Sequence, residues 1–483
     1  MKMKNLFVLP ALIAGLGVIL ACAGSTLADV HYVDVNGTNA TPPYTNWTTA
    51  ATNIQHAVDA AVAGDEVVVT NGIYATGGRD GNRVKVDKPL SVRSVNGPQL
   101  TTIDGGQSKI CVRSTNSVSL SGFTLANGTA GASGGTLNNC TLINNLAGGA
   151  YSCTLNNCTL TGNSADFGGG AALCTLNNCT LTGNSAADGY GGGAAYSMLN
   201  NCTLTGNSVY NGNGGGAYHC TLNNCTLTGN LASDDTPAED YGSGGGAYDC
   251  TLNNCILTGN SAYDPTMLDS LTFGGGAYKC VLNYCIFCCN HARAYADYGL
   301  ATTVNHVSIT SPGFVDQTAG NLRLGSNSPC INAGNNSYVT NATDLDGNPR
   351  ISGGTVDIGA YEFQSPVSMI SYAWLQQFNL PIDPATDAAD PDGDGVSNYR
   401  EWLDGSDPTN PFSFAPLLTM IPYGANVILT WPTNAFGFTL QCTTNLVPPT
   451  FWTTNSPAPV VVNAQNAVTN PIAGAQQFYR LSQ

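Results

Sequence analysis

In the middle of the chain, apolar and polar positions alternate for only three residues at a time. Cys220–Asn230 reads Cys-Thr-Leu-Asn-Asn-Cys-Thr-Leu-Thr-Gly-Asn. Each Leu stands between polar neighbours, which predicts very short, half-buried strands, and the Asn and Gly between them predict tight corners. No 3.6-residue period is present, and Gly, Asn and Thr are weak helix formers. Aligned on the second cysteine, the pattern recurs at Cys140, Cys158, Cys179, Cys202, Cys225, Cys255 and Cys285, at intervals of 18, 21, 23, 23, 30 and 30 residues. The motif holds while the segment before each Gly run lengthens. Repeats of this size point to a solenoid, and short strands joined by corners make each unit one coil of a parallel β-helix.

Stacking such coils about 4.8 Å apart sets equal positions over one another as columns. Leu155, Leu176, Leu199, Leu222, Leu252 and Leu282 form one aliphatic column; Leu160, Leu181, Leu204, Leu227 and Leu257 form a second. Asn163, Asn184, Asn207, Asn230, Asn260 and Asn290 form an amide ladder, expected also to supply left-handed corners. Asn139 to Asn254 form a similar column until Tyr284 replaces it. Cys153, Cys174, Cys220, Cys250 and Cys280 are interrupted by Ser197. Parallel Cβ vectors about 4.8 Å apart suit a disulfide poorly, so packing as small apolar groups is favoured over bridges or a metal site.

Composition changes the picture in two ways. Only 10% of the 483 residues are charged, the net charge is −16, and no Lys or Arg lies between Arg113 and Lys279. Phosphate binding needs clustered cations, so nucleic acid is excluded as a partner. At the N-terminus, Lys2 and Lys4 precede the apolar Leu6–Leu20, and Thr26-Leu27-Ala28 offers a cleavage site before Asp29. Residues 1–28 are therefore expected to be a signal peptide of a secreted or cell-surface protein. Fifteen apolar residues are short for a permanent span. The competing expectation is a lipid anchor on Cys22, because "ILAC" loosely matches a lipobox.

"VHYVDVNGTNATPPYTNWTTAATNIQHAVDAAVAGDEVVVTNGIY" resembles the start of bacterial right-handed parallel β-helix proteins. The resemblance implies a short capping helix, with Ile54, Ala57, Val58, Ala61 and Val62 facing the core. The "TLTGNSA…GGGAY" coils are similar to polymorphic outer-membrane-protein repeats, and Ser328–Phe363 resembles the choice-of-anchor Q module that finishes such helices. The expected order is a β-helix over 29–365 (regular coils 136–290, Q-like end 311–365), a calcium-binding linker over 370–411, and a small β-sandwich-like module over 412–483. A shared fold of this kind does not name an activity.

"DPDGDGVSNYRE" carries the most specific chemistry. Asp390, Asp392, Asp394, Asn398 and Glu401 occupy positions 1, 3, 5, 9 and 12 of a twelve-residue loop. Gly395 is placed for the tight turn and the Val396 carbonyl for position 7. The loop resembles thrombospondin-type-3-like and dockerin-like calcium loops. With no second complete copy, a calcium-stiffened linker is expected rather than a docking module.

An active site on the β-helix needs a cationic base for polysaccharide lysis or flanking carboxylates for hydrolysis. His219, Asp249 and Lys279 share one variable position in successive coils, as a catalytic cluster or as a charge-complementary surface column. Asp234, Asp235, Glu239, Asp240 and Asp264 belong to long insertions at one corner, where a cleft or simple loop growth is possible. The leading expectation is a non-catalytic surface protein for adhesion or glycan binding, with a polysaccharide or cell-envelope partner. The alternative is a polysaccharide lyase or glycoside hydrolase working on the lateral face.

Overall fold

The computed structural model describes residues 28–483 except 235–241, 264–271, 414–415, 434, 436–437, 448–449, 456, 464, 473–475 and 483, and the side chain of 188. Residues 1–27 with Cys22, and Asp235, Glu239, Asp240 and Asp264, lie outside the described residues.

The chain is a parallel β-helix. A typical coil runs Thr221–Asn223, Thr226–Thr228, Leu231–Ser233 and Ala247–Tyr248, each strand pairing in parallel with its equivalents in adjacent coils. The first two strands contribute to a 21-stranded sheet bent at a corner; the others build five- and ten-stranded sheets. Register follows the sequence columns. Leu222 pairs with Leu199 and Leu252, and Leu227 with Leu204 and Leu257, all fully buried. Both cysteine columns are buried free thiols, packed in the core as expected.

The two Asn columns divide the work differently from the sequence expectation. Asn157, Asn178, Asn201, Asn224 and Asn254 take the left-handed corner (φ +51 to +53°). Asn163 to Asn290 do not; the left-handed residue there is the preceding Gly, as at Gly206 (φ +60°), or Cys289 (φ +58°) before Asn290. Their amides point inward, each bonding the next, as Asn184 Nδ2 donates to Asn207 Oδ1 at 2.9 Å. The Gly runs are also explained by contact: a Cβ on Gly193 would stand 2.5 Å from the Gly216 carbonyl of the next coil.

Helix α1 (Ile54–Ala60) closes the N-terminal end, burying Ile54, Ala57, Val58 and Ala61. Asn53 caps it by accepting from the His56 N–H at 3.0 Å. Val62 does not face the core: the helix ends at Ala60, Ala61 turns extended, and Val62 is left exposed. The buried place is held instead by Gln55, bonded through both amide atoms to the Lys85 backbone.

After the last coil, residues 311–365 turn back as a strap over the outer face of the long sheet. Its backbone is gripped by corner asparagines: Asn201 Nδ2 donates to Thr343 O, Asn224 Nδ2 to Tyr338 O and Asn254 Nδ2 to Asn335 O, at 2.7–3.1 Å. Ile256 and Ile286 of the sheet, where the preceding coil has Thr226, join a second apolar cluster with Cys330, Ile331, Ile358 and Leu375. Helices α2 (Tyr372–Gln377) and α3 (Asn398–Asp404) follow, and Tyr399 and Trp402 pack on the same cluster. The segment expected to be a linker is thus docked on the solenoid's flank. Beyond it, antiparallel sheets of four and three strands enclose Leu429, Trp431, Leu440 and Val468.

Candidate metal centre and lateral polar column

The loop before α3 folds around its own carboxylates. Asp390 Oδ1 accepts from the Gly393 N–H and Asp390 Oδ2 from the Gly395 N–H, both at 2.9 Å. Asp394 Oδ1 accepts from the Val396 N–H at 2.7 Å. Gly395 sits at φ +90° with open space where a Cβ would stand, as the turn requires. Ligand oxygens of Asp390, Asp392 and Asp394 lie within 4.8 Å of one another.

The later candidate ligands come from α3. Asn398 is buried, and its amide N–H donates away from the loop to Thr386 O at 2.8 Å. Glu401 is fully buried, with Oε1 accepting from Ser406. That leaves Asp392 Oδ2, Asn398 Oδ1 and Glu401 Oε2 buried without a hydrogen-bond donor. Burying unpaired acceptors is costly, and a cation at their centre removes the cost. Without one, burial and the charges of Asp392 and Asp394 push the Glu401 carboxyl up to about 7. An all-oxygen set of this kind fits a hard divalent cation such as calcium. Val396 sends its side chain into the apolar cluster of the C-terminal module, so the loop touches both neighbours. A cleft of about 980 Å³ separates α2 and α3 from the end of the β-helix, lined in part by Tyr284, His306, Trp374 and Trp402.

His219, Asp249 and Lys279 do stand in one column, at the left-handed corner after the Ala–Tyr strands (φ +49, +50 and +56°). His219 Nε2 lies 3.3 Å from Asp249 Oδ2. Lys279 turns to an aromatic neighbour, donating to Tyr248 Oη at 2.9 Å. That bond raises its pKa, which keeps the ammonium protonated and unsuited to abstracting a proton. Asp234 is not part of this group. It lies buried just after the strand Leu231–Ser233, its N–H on Tyr263 O.

Two arrangements had no counterpart in the sequence reading. Beside the polar column runs an aromatic strip, Phe167, Tyr190, Tyr218, Tyr248 and Tyr278, with ring centroids 4.4–5.8 Å apart. The recurring "AY" was the sequence signal for Tyr218, Tyr248 and Tyr278, whereas Phe167 and Tyr190 come from the segments before the Gly runs. In the strap, Arg350, Asp344, Asp357 and Glu362 are buried together. Burial raises Asp357 to about 7 and Glu362 to about 8, values suited to acid catalysis. Their oxygens are occupied, however: Asp357 accepts from the Asn332 and Phe363 N–H groups, Glu362 from those of Ser352 and Asp357. Sealed from solvent, they hold the strap's own turns.

No family model matches the chain, and no curated protein matches it in sequence. Solved structures to which it is similar include the pectate lyase Pel9A, at 16% identity over 69% of this chain and 96% of that one, with a TM-score of 0.44. A rhamnogalacturonan lyase follows at 12% identity, 61% and 92% coverage and a TM-score of 0.39. The tailspike protein gp49 of Acinetobacter baumannii bacteriophage Fri1, a capsular polysaccharide depolymerase, is similar at 9% identity, 92% and 82% coverage and a TM-score of 0.27. At these levels the likenesses carry no functional argument, and the fold rests on the strand pairings themselves.

Proposed function

We propose that this is a non-catalytic, exported β-helix protein that binds glycan chains along its lateral face and is stiffened by one calcium ion. The observation that carries the reading is the stacked strip Tyr190–Tyr218–Tyr248 lying beside Tyr196, His219, Asp249 and Lys279. Rings stacked on each other turn their edges outward, so the strip offers chiefly ring edges. Beside it stand an imidazole, a carboxylate and an ammonium group, hydrogen-bonding partners suited to a polyhydroxyl chain. Against lysis stands the protonated Lys279. Against hydrolysis stands the burial of the two high-pKa carboxyls of the strap. Calcium is supported by the three buried, donorless oxygens of Asp392, Asn398 and Glu401.

The test is retention on a panel of acidic and neutral polysaccharides, with and without calcium, with product release scored in parallel. Retention without new sugar ends, weakened several-fold by Lys279→Ala and by His219→Ala, is the expected result. Release of unsaturated sugars or reducing ends would replace this reading with an enzymatic one.

A further inference from the structure

The first strand of the solenoid, Val30–Val33, is clamped at its start by one carboxylate. The Asp29 carbonyl accepts from the Glu66 N–H at 3.0 Å, in step with the parallel pairing of Val30 on Glu66. The Asp29 N–H donates to Asp65 Oδ1 at 3.0 Å. Asp65 Oδ2 accepts from the Val62 N–H, just beyond α1, at 2.7 Å and lies 3.0 Å from His31 Nε2. His31 is buried, and its other ring nitrogen stands 2.7 Å from the Pro43 carbonyl. Both nitrogens therefore face acceptors, the pattern of a doubly protonated imidazolium. Burial works against a charge on Asp65, which is 5% exposed, yet the bonds from Val62, His31 and Asp29 hold its carboxyl below the ordinary value. Among the described residues Oδ1 has a single donor, the Asp29 nitrogen. Ala28 and Asp29 are themselves exposed.

We propose that removal of the leader at the Ala28–Asp29 bond completes this clamp: the α-ammonium released on Asp29 takes the place of the peptide N–H on Asp65. This rests on the reading of the protein as exported. The chemistry is a single hydrolysis. Water adds across the peptide bond, Ala28 departs with the new carboxylate, and the freed Asp29 amine takes up a proton; the leader peptidase of the export machinery is the catalyst. The nitrogen need not move, because it already stands at hydrogen-bond distance from Oδ1. A charge-assisted hydrogen bond is roughly twice as strong as the neutral one it replaces. Formal charges then balance, His31 and the amine against Asp65 and the Asp29 side chain. Two independent features meet on this bond: Thr26 and Ala28 at the cleavage positions of the sequence, and a buried carboxylate oxygen at the nitrogen that the cut frees. Position discriminates. A cut one residue earlier sets the amine about 3.8 Å farther along the chain, and a cut one residue later removes the Asp29 donor. Lipid attachment at Cys22 leaves the Asp29 nitrogen an uncharged amide.

N-terminal sequencing and intact mass of the chain secreted with its own leader are expected to begin at Asp29. Two recombinant chains test the clamp itself, one beginning at Asp29 and one retaining Ala28, which keeps the Asp29 N–H but moves the ammonium away. Amide exchange at Glu66, whose N–H is held by Asp29, is expected to be about five-fold slower in the chain that begins at Asp29. Acylation of the terminal amine by a dilute amine-reactive ester is expected to be several-fold slower there as well, and Asp65→Asn in both chains is expected to erase the two differences. An exported chain beginning at any other residue overturns the assignment of the bond. Equal exchange and equal acylation in the two recombinant chains overturn the clamp. A chain retained uncut in the cell overturns the exported reading, whereas the recombinant pair reports on the clamp independently of export.

Discussion

The inner asparagines carry much of the coil-to-coil specificity. Asn207 accepts from the N–H and the Nδ2 of Asn184, and donates to Leu181 O and Asn230 Oδ1. Replacing it by Ala strands several buried groups at about 1–3 kcal/mol each. Asn207→Ala is therefore expected to lower the thermal midpoint by many degrees, read by circular dichroism, whereas an exposed Asn96→Ala is expected to be nearly silent. The thiols make the complementary case. Burial pushes Cys111 up to about 12 and Cys140 well above the usual thiol range, so the reactive thiolate is scarce there, and both columns are buried away from reagent. Peptide mapping after brief alkylation should find label on the half-exposed Cys442 and on the column thiols only after unfolding. Rapid native labelling of Cys140 or Cys158 would contradict the packing role.

Among the elements, the acidic loop and the strap are expected to respond to different ligands. Calcium at 100 times its dissociation constant is expected to add about 2.7 kcal/mol to the folded loop. Asp392→Ala and Glu401→Gln should abolish that increment, visible as loss of calcium-dependent exchange protection over α3, with the β-helix transition unmoved. The strap responds to protons. Asp357 and Glu362 are held at about 7 and 8, against ordinary values of 3.8 and 4.5, while burial lowers Arg350 beside them. Raised carboxyl pKa values mean that the folded strap holds protons more tightly than the unfolded one. Their stabilising contribution is complete below about pH 4 and is lost as pH rises through 7 to 8. Hydrogen-exchange protection of residues 344–363 should therefore fall between about pH 4 and 8, and Glu362→Gln should flatten that slope. Protection that rises over this range would refute the assignment.

For the whole molecule, the decisive contact is between strap and solenoid. Ile256 and Ile286 stand where Thr226 stands in the preceding coil, and both are buried under the strap. Returning each to Thr removes apolar burial worth about 1–2 kcal/mol. The double variant is expected to admit protease between residues 311 and 365 while the β-sheet circular dichroism of the coils persists. The change from Thr to Ile was the one trace of this docking in the sequence. A resemblance to a terminal module said that the segment closes the protein, not which face it covers. Asn178 and Thr343 meet across 165 residues, and no local pattern encodes such a partner. The aromatic strip was half legible, since Tyr recurs before the cysteines, but the rings that stack and the turn of Lys279 onto Tyr248 depend on how the corners aim their side chains.

By itself the sequence determined the coil, its register and the acidic loop proposed to hold calcium. Each of these is local or periodic: the same residue recurs at the same place in every turn, and twelve consecutive residues suffice to surround one cation. Tertiary structure alone decided which columns are covered and which carboxyls are sealed from solvent. Those outcomes come from segments that meet only after the chain has folded back on itself, where burial, not spacing, sets the chemistry.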